Sequence, residues 1–167
     1  MSSNAHILRK IVSGTVPILE RINEFSSKQK THPDKWSNIE VLGHLIDSAF
    51  INQYRFIQSQ FKDDLLFEGY DQVACVKNQG YQSRNWFGLI QLWKDINNYV
   101  ADSIDKIPPD IIIRNRNLHN LNEIAFQSLN KESSATLDYL IKDYIAHLEH
   151  HIQQILPDYK PTMIGNY

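Results

Sequence analysis

The stretch that decides the fold is residues 36–41, which read WSNIEV. Ser37 and Glu40 have the spacing of a capping box, in which each side chain bonds the free backbone N–H of the other. The tryptophan before the box and the valine after it have the spacing of a hydrophobic staple, which fixes how the chain enters a helix. We therefore predict that a long helix begins at Ser37. Its apolar side chains stay in helical phase to about residue 61 and cover most of its circumference, which is typical of a helix inside a bundle.

The same apolar periodicity predicts three more helices. They are expected over about residues 4–25, 83–106 and 133–155. Pro17 lies inside the first of them, and we predict one kinked helix there because the apolar phase continues past the proline. Long connections over 62–82 and 110–132 join the helices, and the second is expected to hold a short helix near 121–129. Four amphipathic helices without a clear strand predict an all-α four-helix bundle, and the long connections argue against a simple up-down-up-down order.

Composition limits the classes of protein that the chain can belong to. A length of 167 residues fits a single domain over 1–167. The charges nearly balance, with 17 Lys and Arg against 19 Asp and Glu, so the chain lacks the basic excess of a nucleic-acid binder. No apolar stretch is long enough for a membrane span, and we expect no signal peptide. The single cysteine, Cys75, excludes an internal disulfide. These features predict a soluble cytoplasmic domain.

Three of the seven histidines lie in residues 147–151, which read HLEHH. His147 and His151 are one helical turn apart and share a face that points toward the bundle interior. Such a pair suits a metal ion, but two neutral core histidines bonded to other side chains would have the same spacing. His150 is rotated by about 100° from its neighbour His151, so we expect it at the edge of any site. Glu149 lies nearly opposite, which disfavours thermolysin-type chemistry.

A metal ion would need at least one more ligand from another part of the chain. The candidates are an acid or one of four histidines, namely His6, His32, His44 and His119. Periodicity does not choose among them, because His44 lies outside the densest apolar stripe of its helix and could be a partly exposed side chain.

Two segments together suggest a family. They are residues 35–47, KWSNIEVLGHLID, and residues 143–155, DYIAHLEHHIQQI. In this order and at this separation they resemble the DinB-like superfamily, and most closely its YfiT-like branch of metal-dependent hydrolases. In that family a helix start of the form W-S-x-x-E-x-x-x-H-L-x-D and a late Y-x-x-H-x-x-H-H-x-x-x-I helix frame the site. Residues 69–72 and the tryptophan-bearing third helix also resemble the family.

The resemblance implies a four-helix bundle in up-down-down-up order. Relatives in the family often form homodimers, so a homodimer is expected here as well. The resemblance also implies a divalent metal ion, zinc or nickel, held by His44, His147 and His151. Asp47 lies one turn after His44, so it is a candidate catalytic residue that orients this imidazole or takes a proton. A solvated acid on the helix surface is the equally weighted alternative.

Three functions fit such a site. Three neutral imidazoles leave positions open on a divalent ion, where the pKa of a water falls toward about 7, so one function is hydrolysis of a small molecule. Some DinB-like relatives are thought to be transferases that join a low-molecular-weight thiol to an electrophile, and a thiol could use the same open position. The third is a non-catalytic helical binding module with a structural metal, whose fourth ligand could be Cys75. None of the three requires nucleic acid or a membrane.

Overall fold

The computed structural model describes Ser3–Thr162, and eight α-helices account for most of this range. The helices are α1 (Ser3–Leu19), α2 (Glu24–Lys28), α3 (Asn38–Gln58), α4 (Gln72–Gln79), α5 (Trp86–Asp105), α6 (Pro109–Ile113), α7 (Leu121–Ile124) and α8 (Leu137–Ile155). The long helices α1, α3, α5 and α8 form the bundle, and the short ones lie in the connections. Within the described residues no β-strand forms, and none of the helices has the length and apolar character needed to cross a bilayer.

Helix α3 begins where the capping box predicts. Ser37 is its N-cap, and the Glu40 carboxylate accepts the Ser37 N–H at 2.8 Å. All nine residues over 41–49 are buried, so this part of the helix is enclosed by neighbours on every side. It packs against both α5 and α8, as expected of a helix whose apolar residues surround it.

Contacts between helix ends fix the directions of the four long helices. Arg9 near the start of α1 bonds Asp105 at the end of α5, at 2.8 Å, so these two helices are antiparallel. Asn4 donates to Asp138 at 2.7 Å, so α1 and α8 start at the same end of the bundle. Helix α3 runs opposite to α8, because His44 near its start meets residues near the end of α8. The order is therefore up-down-down-up, and the long connection between the parallel helices α3 and α5 carries the chain from one end of the bundle to the other.

Buried aromatic side chains hold the helices at their crossing points. Trp86 and Trp93 on α5 are fully buried, as expected for core anchors, whereas Trp36 is half-buried. The Trp86 indole N–H donates to the backbone carbonyl of Leu19 at 3.2 Å and joins α5 to the end of α1. Large aromatic side chains that also satisfy their polar atoms stabilise such contacts strongly.

The prediction of one kinked helix over 4–25 is wrong. Helix α1 continues through Pro17 but ends at Leu19, and α2 begins only at Glu24. The reason is a new N-cap: the Asn23 side chain accepts the Ser26 N–H at 2.8 Å and starts a separate helix. Phe25, assigned to the apolar stripe of the first helix, is 74% exposed.

The other predicted helix bounds differ from the structure by a few residues. Helix α5 starts at Trp86 because Asn85 caps it, and α8 starts at Leu137 because Thr136 accepts the N–H of Tyr139. Helix α3 ends at Gln58 instead of residue 61, and the expected short helix over 121–129 is limited to α7. These shifts do not change which faces of the helices meet.

Replacement of Gly43 by alanine should destabilise the fold by about 1–3 kcal/mol. The Tyr81 ring lies so close to α3 that a Cβ on residue 43 would be only 2.2 Å from its Cδ2 atom. The ring would have to move, and its hydroxyl would lose the 2.7 Å hydrogen bond that it donates to Asp47. Urea unfolding of Gly43→Ala measures the effect.

Gly14→Ala is the matched control, because Gly14 also lies inside a helix but a Cβ on it would meet no atom within 4 Å. It should stabilise the protein by about 0.5–1 kcal/mol through higher helix propensity. Equal effects of the two substitutions would contradict the packing argument.

Candidate metal centre

The antiparallel contact of α3 with α8 brings three histidine side chains together. They are His44 on α3 and His147 and His151 on α8, and one ring nitrogen from each lies within 4.8 Å of the others. His44 is fully buried, and the other two are half-buried. His44 Nε2 and His147 Nε2 are 3.2 Å apart. The family resemblance implied these three residues as one set, and their convergence requires a particular rotation of both helices.

The donor set fits a divalent cation. Two nitrogen ligands of a tetrahedral zinc ion, each about 2.0–2.1 Å from it, stand about 3.3 Å from each other. The separation of His44 Nε2 and His147 Nε2 matches this value. Among the described residues, no fourth His, Cys, Asp or Glu side chain joins the cluster, so an ion held there would keep positions for other ligands.

The rings are held in the uncharged form that binds metals. Burial lowers the pKa of His44 from 6.5 to about 4, and the neighbouring His151 contributes to the shift. Burial lowers the pKa of His147 further, to about 2, again with the nearby histidines adding to the effect. The pKa of His151 is also lowered, chiefly by burial. At neutral pH all three rings therefore offer a nitrogen lone pair.

The Gln154 side chain forms hydrogen bonds with both His151 and His150, but with different atoms and in opposite directions. His151 Nδ1 lies 3.0 Å from Gln154 Oε1, so this nitrogen carries the proton and donates it, which leaves Nε2 as the free acceptor. The amide nitrogen of Gln154 in turn donates to His150 Nε2 at 3.3 Å. His150 is exposed and lies outside the cluster of three. The structure thus has it beside the candidate site, where helix geometry predicted it.

Aromatic rings cover two sides of the cluster. The Trp36 ring centroid is 5.1 Å from that of His44. The Phe126 ring, from the connection before α8, is 5.5 Å from His147 and 5.1 Å from His150. These rings contribute to the burial of the imidazoles, and burial is the main cause of their lowered pKa values.

A third side of the cluster opens into a cleft of about 430 Å³ between α3, α8 and the connections. Its lining includes His147 and His151 together with Ser48, Asn52 and Arg55 from α3. Sequence reasoning missed these three, although they follow His44 by four, eight and eleven residues and so lie on the same stripe of the helix. Side chains contributed by the connections, such as Tyr70 and Phe126, left no comparable signal in the sequence.

Asp47, the candidate catalytic residue, is buried and bonds a different partner from the one predicted. One of its carboxylate oxygens accepts the Tyr81 hydroxyl at 2.7 Å, and the other has no hydrogen-bond partner among the described residues. His44 Nδ1 is also without a partner there, so Asp47 does not orient this imidazole directly. Burial raises the pKa of Asp47, against the effect of the Tyr81 hydrogen bond. A role in proton transfer stays a prediction.

The remaining candidates lie away from the cluster. His119 is a buried histidine bonded to Ser133 O at 2.8 Å, the neutral core arrangement that is the alternative to metal binding. Glu149, which was predicted to lie on the other side of α8, accepts the Tyr159 hydroxyl at 2.7 Å. Cys75 lies in α4 and is not one of the three converging side chains.

The fold and the cluster define a four-helix bundle with an open three-histidine site between its second and fourth long helices. The fold is that of the YfiT type. A solved structure described as "YfiT from Bacillus subtilis is a probable metal-dependent hydrolase with an unusual four-helix bundle topology" superimposes with a TM-score of 0.73. The match covers 94% of this chain and 87% of that one, at 16% sequence identity. No family model matches the sequence, and no curated protein matches it significantly.

The metal-free protein should lose stability as the pH falls below about 6.5. His44 and His147 keep pKa values of about 4 and about 2 in the folded chain, whereas in the unfolded chain they titrate near 6.5. Below 6.5 the unfolded chain therefore binds more protons, and the free energy of unfolding decreases as the pH drops toward 4. Urea unfolding at several pH values, after removal of metals by chelation, measures the slope. The double variant His44→Gln, His147→Gln should have a flatter dependence, and an unchanged slope would contradict the argument.

His150→Ala should keep the metal stoichiometry of the parent, while His151→Ala should lose it. The reason is that His150 is exposed and its Nε2 accepts from Gln154, whereas His151 converges with the other two rings. Elemental analysis after equilibration with zinc and gel filtration measures the bound metal. Equal loss in both variants would show that the assignment of the helix face is wrong.

Proposed function

We propose that the protein is a metal-dependent hydrolase that acts on a small molecule, with His44, His147 and His151 as ligands of a zinc or nickel ion. The observation that carries the proposal is the convergence of three uncharged histidines, without a fourth protein ligand in the described residues, beside a cleft of ligand size. A purely structural zinc ion is normally enclosed by four protein ligands. The description of YfiT as a probable metal-dependent hydrolase supports the same conclusion.

The protein's own side chains would prepare the site in three ways. The neutral imidazoles would hold a divalent ion, which when bound would supply Lewis-acid chemistry to the cleft. Gln154 fixes the tautomer of His151, since its amide oxygen accepts the Nδ1 proton. Phe126 and Trp36 keep bulk water from two sides of the cluster, and the cleft leaves one side for a substrate.

Asp47 is proposed as a proton acceptor whose carboxyl group Tyr81 holds in place. Its second carboxylate oxygen is buried without a partner among the described residues, and burial raises its pKa toward the range in which a carboxylate can hold a proton. Tyr81 donates to the first oxygen and keeps the carboxyl group in one orientation.

A second function, transfer of a low-molecular-weight thiol to an electrophile, is favoured by one feature of the cleft. Hydrolysis needs a base that can take a proton from water, yet the proposed base, Asp47, does not line the cleft, and both oxygens of Asp143, which does, accept backbone N–H groups of Phe126 and Gln127. A thiol ionises more readily on a metal ion and needs no such base. The same ligands would serve this reaction. A non-catalytic binding module is the outcome if neither reaction occurs.

We also propose that the protein acts in the cytoplasm as a homodimer, without nucleic acid or membrane partners. The near balance of charges supports the absence of a nucleic-acid partner. Exposed aromatic side chains on the outer face of α3, namely Phe50 and Tyr54, support contact with a second copy.

The test is a screen of the zinc-loaded and nickel-loaded protein against esters, amides and thiol–electrophile pairs. Turnover without added thiol is expected for the hydrolase, and thiol-dependent turnover would select the transferase. His147→Ala should abolish both metal binding and turnover, whereas Asp47→Asn should keep the metal and lower turnover about 10²-fold or more if Asp47 takes the proton. Tight metal binding by a triple His→Ala variant of the three ligands would overturn the metal assignment, and absence of any turnover would favour the binding module.

A further inference from the structure

A buried cation lines the cleft beside the histidines. Arg55 on α3 is only 6% exposed, and its side chain borders the same cleft as His147. It follows His44 by eleven residues, which is three helical turns, so both side chains leave α3 on the same face. Side chains of a helix lean toward its N-terminus, which for Arg55 is the end of α3 that carries His44.

The hydrogen-bonding capacity of Arg55 is mostly unused. One terminal nitrogen donates to Glu68 O at 2.8 Å, and the guanidinium carbon lies 5.6 Å from the centre of the Phe67 ring. A guanidinium has five N–H donors in a planar fork. Among residues 3–162, no carboxylate oxygen lies within ion-pair distance of it. Its charge is therefore buried at the wall of a cleft without a direct counter-ion.

Asp143 is the carboxylate whose charge acts on Arg55, but its oxygens are occupied. They accept the backbone N–H groups of Phe126 and Gln127 at 2.9 and 2.7 Å, which holds the connection before α8 in place. Burial of a cation without a bonded partner is costly in free energy. An anionic ligand that enters the cleft would remove this cost, because a carboxylate or phosphate matches the two parallel donors of a guanidinium.

Arg116 provides a contrast within the same chain. It is also buried, at 2% exposure, but it donates to two backbone carbonyls, Arg114 O and Ser59 O, and it does not line the cleft. Arg116 differs from Arg55 chiefly in its position, because it is buried away from the cleft and its Nε is enclosed without a hydrogen-bond partner among the described residues.

We propose that Arg55 binds an anionic oxygen group, a carboxylate or a phosphate, on the small-molecule substrate, whose reacting group lies at the histidine end of the cleft. The position of the reacting group in this proposal rests on the proposed function, whereas anion binding by Arg55 does not depend on it. The Cα atoms of His44 and Arg55 are about 16 Å apart along the helix, which sets the scale of the span, so the substrate is a two-ended molecule of moderate length. Asn52 and Tyr70 supply further polar groups between the two ends.

The experiment measures binding of inorganic phosphate, succinate and succinamide to the full-length protein by calorimetry, as purified and after metal removal. Succinate and succinamide differ in charge but little in shape. We expect at least one of the two anions to bind and succinamide not to bind, with or without metal, and the preferred anion identifies the group. Arg55→Gln should weaken anion binding about tenfold or more, and Arg55→Lys should recover only part of it because lysine lacks the planar fork.

Arg116→Gln is the matched control, since it removes a buried arginine outside the cleft and should leave anion affinity unchanged. Equal binding of succinate and succinamide, or equal weakening by Arg116→Gln and Arg55→Gln, would overturn the proposal. Because anion binding is measured without metal, a protein that binds the anion but no metal ion would refute the proposed function and still support the role of Arg55.

Two variants of Gln72 with opposite charges test the anion site without changing Arg55. Their result therefore does not depend on whether the Arg55 variants fold correctly. Gln72 is exposed, lies at the start of α4 and lines the cleft, so its replacement leaves the bonds of Arg55 intact. Gln72→Glu should weaken anion binding and Gln72→Lys should strengthen it, through the added charge. Identical affinities in the two variants would count against an anion site in this cleft.

Discussion

The antiparallel contact between α3 and α8 is the constraint on which the rest of the structure depends. It places the start of one helix beside the end of the other, so that His44 meets His147 and His151. Each helix must have one rotation about its axis for this to happen, and burial of the apolar side chains around the histidines fixes that rotation. Fully burying one large aliphatic side chain contributes about 1.5–3 kcal/mol, so turning either helix away would be costly.

The histidine cluster is the polar exception inside this apolar contact. Three imidazoles close together would repel one another if charged, and the same burial that packs the helices keeps them neutral. Burial therefore has two effects: it stabilises the bundle, and it leaves the imidazoles uncharged with a lone pair that suits a metal ion. Tyr81 supports the arrangement from the other side, because it packs on Gly43 and donates to Asp47 just before and after His44 along α3.

The cleft has one uncharged end and one cationic end. Burial lowers the pKa of His147 and His151 and keeps them neutral, whereas Arg55 retains a buried positive charge that Asp143 balances only at a distance. If Arg55 binds an anionic group as proposed, the site would discriminate by the charge of the far end of a ligand and by the reactivity of its near end. The two determinants lie on the same stripe of α3, so the spacing between them is set by helix geometry and not by a mobile loop.

The capping box at Ser37 and Glu40 and the apolar periods predict the four long helices, because these signals are local and depend only on neighbours along the chain. The pairing of His147 with His151 follows from the same geometry, and the choice of His44 as their partner came from family resemblance. The sequence did not reveal the break after Leu19, because the apolar periodicity continues across it. The Asn23 side chain starts a new helix there without any change in that periodicity.

Only the tertiary structure decided that Asp47 bonds Tyr81 rather than His44, and that Arg55 is a buried cation. Tyr81, Phe67 and Phe126 come from connections between the bundle helices, where no periodicity predicts which side chain meets which helix. The sequence by itself determined the helices and the face that carries the histidines. The environment of each polar group, and hence its charge and its partners, depends on contacts between segments far apart in the chain, which arise only when the bundle is packed.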